Sequence, residues 1–258
     1  MPENTVYDLN YFEKEYSKWN NPVYIHPDPL EFLHRYKKPE DQEIVGIIGA
    51  CLAYGNVRQI LKSVENALHF IKDSPAEQLE QMKDEEIQKC YSSFKHRFTT
   101  GKELAIFLMN IKYARAKYGS LENLFLKGDN SQDETVEHGL YNFVDAFNAT
   151  GRAPSLTPAP ALKSSFKRIC LFLRWMVRKD NVDIGIWKKV SPARLIIPLD
   201  THMRQVSLSL GLTHRKDTSM KTALEITAAF RKINPSDPVR YDFSLTRAGI
   251  RGTDEINI

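Results

Sequence analysis

The sequence predicts an all-α protein, and three observations lead to that fold class. Apolar residues recur every three to four positions along most of the chain, as on the buried face of an amphipathic helix. Alternating β-branched runs, which are typical of strands, are missing. Glycines and prolines separate the periodic segments into lengths that are typical of helices in globular proteins.

The chain opens with two predicted helices separated by a proline-rich loop. The apolar spacing predicts a short helix over residues 8–19. Residues 22–29 (PVYIHPDP) hold three prolines, which predict an extended loop. Asp28 suits an N-cap and Pro29 suits the first helical position, so we expect a helix from there through about Tyr36.

An almost wholly apolar helix is predicted at the centre of the bundle. Residues 40–54 begin with acidic side chains and continue as IVGIIGACLAY, which is typical of a helix buried on every side. Since Gly46 and Gly49 lower helix propensity and lie on roughly one face, we expect a neighbour to pack closely there. Further helices of this half are predicted over residues 57–72, 75–92 (a short pair), 101–118 and 135–149.

A second proline-rich segment divides the chain. Residues 150–161 (TGRAPSLTPAPA) are open to two interpretations, a linker between lobes or a functional loop. We expect one all-α unit over residues 1–258, or two lobes with a cleft between them, with residues 1–150 forming the helical bundle and residues 151–258 the second part. Helices after the break are predicted over residues 162–178, 201–210, 218–233 and 237–248, with a connector over residues 180–197.

Charge is unevenly distributed beneath a formal net charge of +4. Residues 160–216 hold 12 Lys and Arg against 3 Asp and Glu, whereas residues 1–159 hold 18 against 23. Such asymmetry favours a surface for a polyanion, with nucleic acid first. A solvated face that keeps the protein soluble is the alternative.

Composition argues against several other classes. No apolar stretch approaches the roughly 20 residues that span a bilayer, and the polar N-terminus lacks a signal core. Cys51, Cys90 and Cys170 lie far apart, so we expect no disulfide framework, no zinc or other metal site and no iron–sulfur cluster. We therefore expect a cytoplasmic protein without a cofactor, in which Cys51 and Cys170 are small buried side chains.

The segment LIIPLDTHMRQVSLSLGL, residues 195–212, carries the clearest candidate for chemistry. Asp200 follows Pro198 at the start of a predicted helix, where a carboxylate caps free backbone N–H groups. The same rigid position suits a catalytic carboxylate that stabilises positive charge on a sugar or orients a water molecule. The local sequence leaves both interpretations open.

This segment resembles the V-D-T-H-V-x-R segment of the helix-hairpin-helix DNA glycosylases, the endonuclease III/MutY/OGG superfamily. Thr201, His202 and Arg204 complete the match, and the resemblance implies that Asp200 is the catalytic carboxylate. The closing segment DPVRYDFSLTRAGIRG is similar in kind to the final helix of that module. The whole chain more closely resembles a family of uncharacterised conserved bacterial proteins, in which PVYIHPDPLEFLHRY, ACLAYGNVRQI and IIPLDTHMRQ recur in this order.

The resemblance also implies a nucleophilic lysine just after a glycine-rich turn. Lys167 is the candidate by position and Lys163 the second, although Ser164, Ser165 and Phe166 stand where the turn would lie. Such a lysine attacks the sugar C1′ and forms a Schiff base. A phosphate contact is the alternative role for Lys167.

The basic residues of this region predict a nucleic-acid contact. We expect Lys163, Arg168, Arg174, Arg178 and Arg204 to bind DNA. The basic stripe consists of Lys163, Arg168, Arg174, Arg178, Lys179, Lys188, Lys189 and Arg194.

A base-binding pocket is predicted after the central apolar helix. Its candidates are Tyr54, Asn56, Arg58 and Gln59, for which a simple helix turn at Gly55-Asn56 is the alternative. Trp175 is a further candidate that either stacks on a base or fills the core.

The leading hypothesis is a DNA-repair protein that cleaves an N-glycosidic bond or an abasic site through Asp200. A non-catalytic nucleic-acid-binding protein on the same fold and a helical protein-interaction module are the alternatives.

Overall fold

The computed structural model describes residues 9–157 and 164–247, and most of them are helical. The predicted all-α class is confirmed in this part of the chain. Lys163 and the end of the proline-rich segment lie outside the described residues.

Eleven α-helices have both ends within the described ranges: α1 (Leu9–Trp19), α2 (Pro39–Leu52), α3 (Val57–Leu68), α4 (Pro75–Gln81), α5 (Asp84–Cys90), α6 (Gly101–Tyr118), α7 (Leu121–Gly128), α8 (Glu137–Phe147), α9 (Lys167–Val177), α10 (Thr201–Ser209) and α11 (Met220–Ile233). Residues 242–247 are helical as well. Short 3₁₀ helices span Pro22–Tyr24, Pro29–Arg35 and Pro192–Arg194.

Helix α2 lies at the centre of the bundle, as its apolar sequence predicts. Its residues from Ile44 to Leu52 are buried, and α9 packs against it. A Cβ added at Gly46 would lie 2.8 Å from Met176 Cε and 3.4 Å from Phe172 Cε2. The expected close approach is confirmed, because a side chain at Gly46 would overlap the end of the Met176 side chain on α9 unless that side chain moved.

Three elements were not predicted, and one is the 3₁₀ helix Pro22–Tyr24, which lies where an extended loop is expected. The hairpin β1 (Lys95–His96) and β2 (Thr99–Thr100) pairs only two residues with two, which is too short to show an alternating pattern. Burial anchors it, since His96 and Thr99 are enclosed and Tyr54 donates a hydrogen bond of 2.9 Å to the His96 carbonyl. The third unpredicted element is α7, a short helix that Ser120 caps.

A buried ionic network fixes α9 to the end of the described chain. We call it the arginine–aspartate cluster, and its members are Arg174, Arg178, Asp180, Asp183, Asp237 and Asp242. Arg174 reaches Asp183 at 3.1 Å and Asp242 at 2.5 Å. Arg178 pairs with Asp237 at 2.9 Å and also with Asp183. The cluster therefore joins α9, the connector and the terminal helical segment.

Removing one arginine from this cluster is expected to destabilise the fold strongly. Arg178→Met removes the counter-charge of Asp180 and Asp237 and leaves Asp183 with Arg174 alone, at a cost of about 3–5 kcal/mol in the free energy of unfolding. Urea denaturation measures the loss. Arg152→Met is the control, because the Arg152–Asp145 pair is half-exposed and contributes about 0–1 kcal/mol. Equal losses in the two variants would show that the cluster does not hold the fold.

Candidate functional site

A cleft of about 840 Å³ is lined by residues from both before and after the second proline-rich segment. The first turns of α9 and α10 both border it, so two helix N-termini, with their partial positive charge, lie at its walls. Parts of six stretches line it, within residues 27–29, 53–60, 154–155, 164–174, 198–202 and 242–247, together with Phe98 and Thr218.

Asp200 lies at this cleft as the N-cap of α10. Its Oδ1 accepts a hydrogen bond of 2.9 Å from the Met203 backbone N–H. Its Oδ2 lies 3.7 Å from Lys167 Nζ, and the side chain is 42% exposed. One carboxylate oxygen therefore caps the helix while the other is available to the cleft, so the capping role and a chemical role are compatible.

Lys167 is the first residue of α9 and stands 33 positions before Asp200 in the sequence. Its Nζ donates a hydrogen bond of 3.2 Å to the Ala53 carbonyl at the end of α2, and the side chain is 25% exposed. The fold thus brings an amine and a carboxylate together from separate helices. Both members of the predicted catalytic pair line the same cleft.

The turn into α9 is tight although it contains no glycine. Phe166 adopts the left-handed conformation, with φ of 51° and ψ of 33°. A non-glycine residue in this region carries a strain of about 1–2 kcal/mol. Burial of Phe166 and a 3.1 Å hydrogen bond from Ser165 Oγ to the Leu199 carbonyl hold the turn beside α10.

Arg168 follows on the same turn and lies against Tyr54. Its guanidinium carbon is 5.0 Å from the centre of the Tyr54 ring. Nη1 donates to the Cys51 carbonyl at 3.0 Å and also to the Ser155 carbonyl. Tyr54 is held in turn, because its hydroxyl shares a hydrogen bond of 2.6 Å with Thr99 Oγ1. These contacts fix a cation and an aromatic ring in the cleft wall.

The other base-pocket candidates do not join Tyr54. Asn56 caps α3 by accepting a hydrogen bond of 3.0 Å from the Arg58 backbone N–H, which agrees with the helix-turn interpretation. Arg58 and Gln59 are exposed and do not line the cleft. Trp175 is completely buried and packs near Gly49, so it belongs to the core and cannot stack on a base.

The predicted phosphate contacts of Arg174 and Arg178 are corrected by the structure. Each residue is only 3% exposed, and the aspartates of the arginine–aspartate cluster occupy both guanidinium groups. Arg194 is also buried and pairs with Asp129 at 2.7 Å. The basic stripe is therefore not one continuous surface. The sequence could not show this, because Asp129 and Asp237 lie outside the basic segment.

The predicted DNA contact Arg204 and three lysines of the basic stripe lie outside the cleft lining. Arg204 donates from Nη1 to the Lys216 carbonyl at 2.6 Å and does not line the cleft. The exposed Lys179, Lys188 and Lys189 do not line it either. Among the described residues, Lys167 and Arg168 are the predicted cations that line the cleft with Asp200 and are not paired with a buried aspartate.

Several residues of the cleft were missed as site candidates. Asp28 was predicted only as a cap; its Oδ1 does cap, at 3.0 Å from the Leu30 N–H, while its Oδ2 lies 2.7 Å from Arg247. Phe98, at the hairpin tip, borders the cleft and is 75% exposed. The charged residues among the apolar residues of the closing segment could have indicated Arg247 as a site residue. No sequence pattern indicates Phe98.

Asp242 is a second carboxyl group of the cleft, and it is buried. Burial raises its pKa to about 6, the Arg174 guanidinium opposes that shift, and the Asp200 carboxylate adds to it. A buried carboxyl group with a raised pKa thus lines the same cleft as Lys167 and Asp200.

A family model matches residues 28–251 of the chain, and the family is described as a protein of unknown function (DUF2400). No curated protein and no solved structure matches the chain. Across the described ranges, no helix has the length and apolar character that crossing a membrane requires. Within those ranges, no three His, Cys, Asp or Glu side chains are grouped to hold a metal ion.

The pH dependence of stability tests the environment of Asp242. Between the ordinary pKa of 3.8 and the raised pKa of about 6, the folded protein holds a proton that the unfolded chain has released. The contribution of this carboxyl to the free energy of unfolding therefore falls as pH rises through that window and is constant above it. Urea denaturation measures the free energy of unfolding of wild type and of Asp242→Asn at each pH. The wild-type value minus the Asp242→Asn value is expected to decrease as pH rises over the same window.

The exposed Asp145 provides the control, as Asp145→Asn changes a carboxylate far from this burial. If the free energy of unfolding of wild type minus that of Asp242→Asn rises with pH, the result contradicts a raised pKa for Asp242.

Proposed function

The chain belongs to the DUF2400 family, and because that membership specifies no activity, we propose one from the geometry of the cleft. The protein binds damaged nucleic acid, DNA first, and cleaves an N-glycosidic bond or an abasic site. The observation that carries this proposal is the 3.7 Å approach of Lys167 Nζ to Asp200 Oδ2 in an open cleft.

Asp200 supplies the negative charge that base release requires. As the bond between C1′ and the base breaks, positive charge develops on the sugar, and a fixed carboxylate stabilises it. The same group can orient a water molecule toward C1′. Since Oδ1 is bonded to the Met203 N–H, the carboxylate is held in one orientation before any substrate arrives.

Lys167 supplies a nucleophile for an abasic sugar. Its unprotonated amine forms a bond to C1′, and the aldehyde oxygen leaves as water to give a protonated Schiff base. Loss of a C2′ proton to a base then expels the 3′ phosphate with its bonding electrons.

A non-catalytic nucleic-acid-binding protein is the second candidate. The bond from the Met203 N–H to Asp200 Oδ1 favours it, because capping alone accounts for an aspartate at this position. The two candidates differ in whether the charge of Asp200 is needed once the cap is kept.

Asp200→Asn separates these candidates, because an asparagine oxygen preserves the cap and only the charge is lost. We expect base release or abasic-site cleavage to fall roughly 100-fold or more, with DNA affinity changed only a few-fold. Single-turnover assays on a panel of lesion-containing oligonucleotides measure the rate, and Asp145→Asn is the control. Unchanged rates would remove Asp200 from the chemistry, and a wild-type protein inactive on every lesion would leave the binding protein.

Borohydride trapping tests Lys167 as the nucleophile. Reduction of the Schiff base on abasic DNA is expected to give a covalent adduct with wild type and none with Lys167→Met. Denaturing gels measure the adduct. Lys179→Met, which changes an exposed lysine outside the cleft lining, should retain it.

An adduct that persists in Lys167→Met would place the nucleophile on another residue. The absence of any adduct with an otherwise active wild type would exclude the lyase step and leave hydrolysis through Asp200.

A further inference from the structure

We propose that Arg168 is the binding site for one phosphate group, and that the group is the phosphodiester beside the reacting nucleotide. This inference rests on the proposed function for the source of the phosphate. The site itself follows from the partners of Arg168.

The arginines that line the cleft differ in whether a carboxylate lies beside them. Arg174 lies 2.5 Å from Asp242, and Arg247 lies 2.7 Å from Asp28. Arg168, the third arginine lining the cleft, has no carboxylate within ion-pair distance in the part of the chain that the structure describes. Arg168 is half-buried, and a charge that is partly removed from water is stabilised by an opposite charge. Arg168 is therefore the arginine of the cleft that would gain its counter-charge from an external anion.

The hydrogen bonds of Arg168 leave one edge of its guanidinium for that anion. Nη1 is taken by the Cys51 and Ser155 carbonyls. Among the described residues, Nε and Nη2 donate to no acceptor and are not enclosed. Two parallel donors on one edge match two oxygens of a phosphate in a bidentate pair.

The position of Arg168 is fixed before an anion binds. The Tyr54 ring supports the guanidinium at 5.0 Å, and the Tyr54 hydroxyl is bonded to the His96 carbonyl at 2.9 Å. A cation held by neutral groups keeps its charge for a ligand while it loses little freedom on binding.

Lys167 is a poorer site for the phosphate, although it precedes Arg168. The Asp200 carboxylate lies 3.7 Å from its Nζ, so a phosphate there would meet a like charge. At Arg168 the first turn of α9 adds its partial positive charge, and Phe166 offers that turn no side-chain cap. The reacting sugar is therefore expected at Lys167 and Asp200, with an adjacent phosphate on Arg168.

A scan of single phosphates tests this site. Duplexes carrying a tetrahydrofuran abasic analogue are made with one neutral methylphosphonate at each position around the analogue, and their affinities are measured by competition. Wild type is expected to lose roughly 10- to 100-fold in affinity at one position, the value of a charge-assisted hydrogen-bonded contact. Arg168→Gln should bind unmodified DNA more weakly than wild type by the same factor. Its affinity should not change further when the methylphosphonate is placed at that position.

Two variants keep the comparison interpretable. Arg168→Lys retains the charge without the paired donors, so its affinity should keep part of the wild-type sensitivity to the methylphosphonate. This variant replaces Arg168→Gln if thermal unfolding shows that Arg168→Gln is unstable. Arg58→Gln removes an exposed arginine outside the cleft lining and should keep the wild-type profile.

The outcomes separate this inference from the proposed function. DNA binding with identical methylphosphonate profiles in wild type and Arg168→Gln overturns the phosphate site and leaves the proposed function standing. If wild type binds no DNA but binds dAMP or inorganic phosphate in an Arg168-dependent manner, the proposed function fails. That outcome also overturns the assignment of the phosphate to a nucleic acid.

Discussion

The arginine–aspartate cluster is the interaction on which the candidate site depends. Arg174 and Arg178 extend from the C-terminal half of α9 and are bound by aspartates of the connector and of the terminal segment. Because a helix is stiff, fixing one half of α9 also fixes the other, where Lys167 begins the helix. Gly46 brings the same helix close to α2, whose last turn supplies the Ala53 carbonyl to Lys167. The position of the amine beside Asp200 is thus a consequence of buried packing and buried charge.

This arrangement changes the meaning of the charge distribution. The excess of Lys and Arg in residues 160–216 indicates a polyanion surface if the charges are exposed. In the described part of the chain, three of these arginines are buried against aspartates, three of which, Asp129, Asp237 and Asp242, lie outside the segment. Lys167 and Arg168 remain as cations of the cleft without a buried aspartate, and Lys167 lies beside the Asp200 carboxylate. The proposed function therefore implies contacts near a single nucleotide and not along a long stretch of backbone.

Much of the fold was predictable because it depends on local spacing. Neighbouring residues determine the apolar periodicity of α6 and α8, the acidic start and glycines of α2, and the capping position of Asp200. They do not determine the convergence of Lys167 with Asp200, since it depends on how α9 and α10 pack. The burial of Arg174 and Arg178 likewise required partners that are distant in the chain. The left-handed Phe166 was unpredictable for another reason: tertiary packing overrides the local cost of that conformation.

The central claim is that the chemistry takes place where Lys167 and Asp200 meet. The most direct measurement is an experimental structure of the protein bound to duplex DNA that carries a tetrahydrofuran abasic analogue. The account predicts the analogue in the cleft, with its C1′ in contact with Lys167 Nζ and the Asp200 carboxylate. DNA that lies along the exposed Lys188 and Lys189, with the analogue outside the cleft, would contradict it.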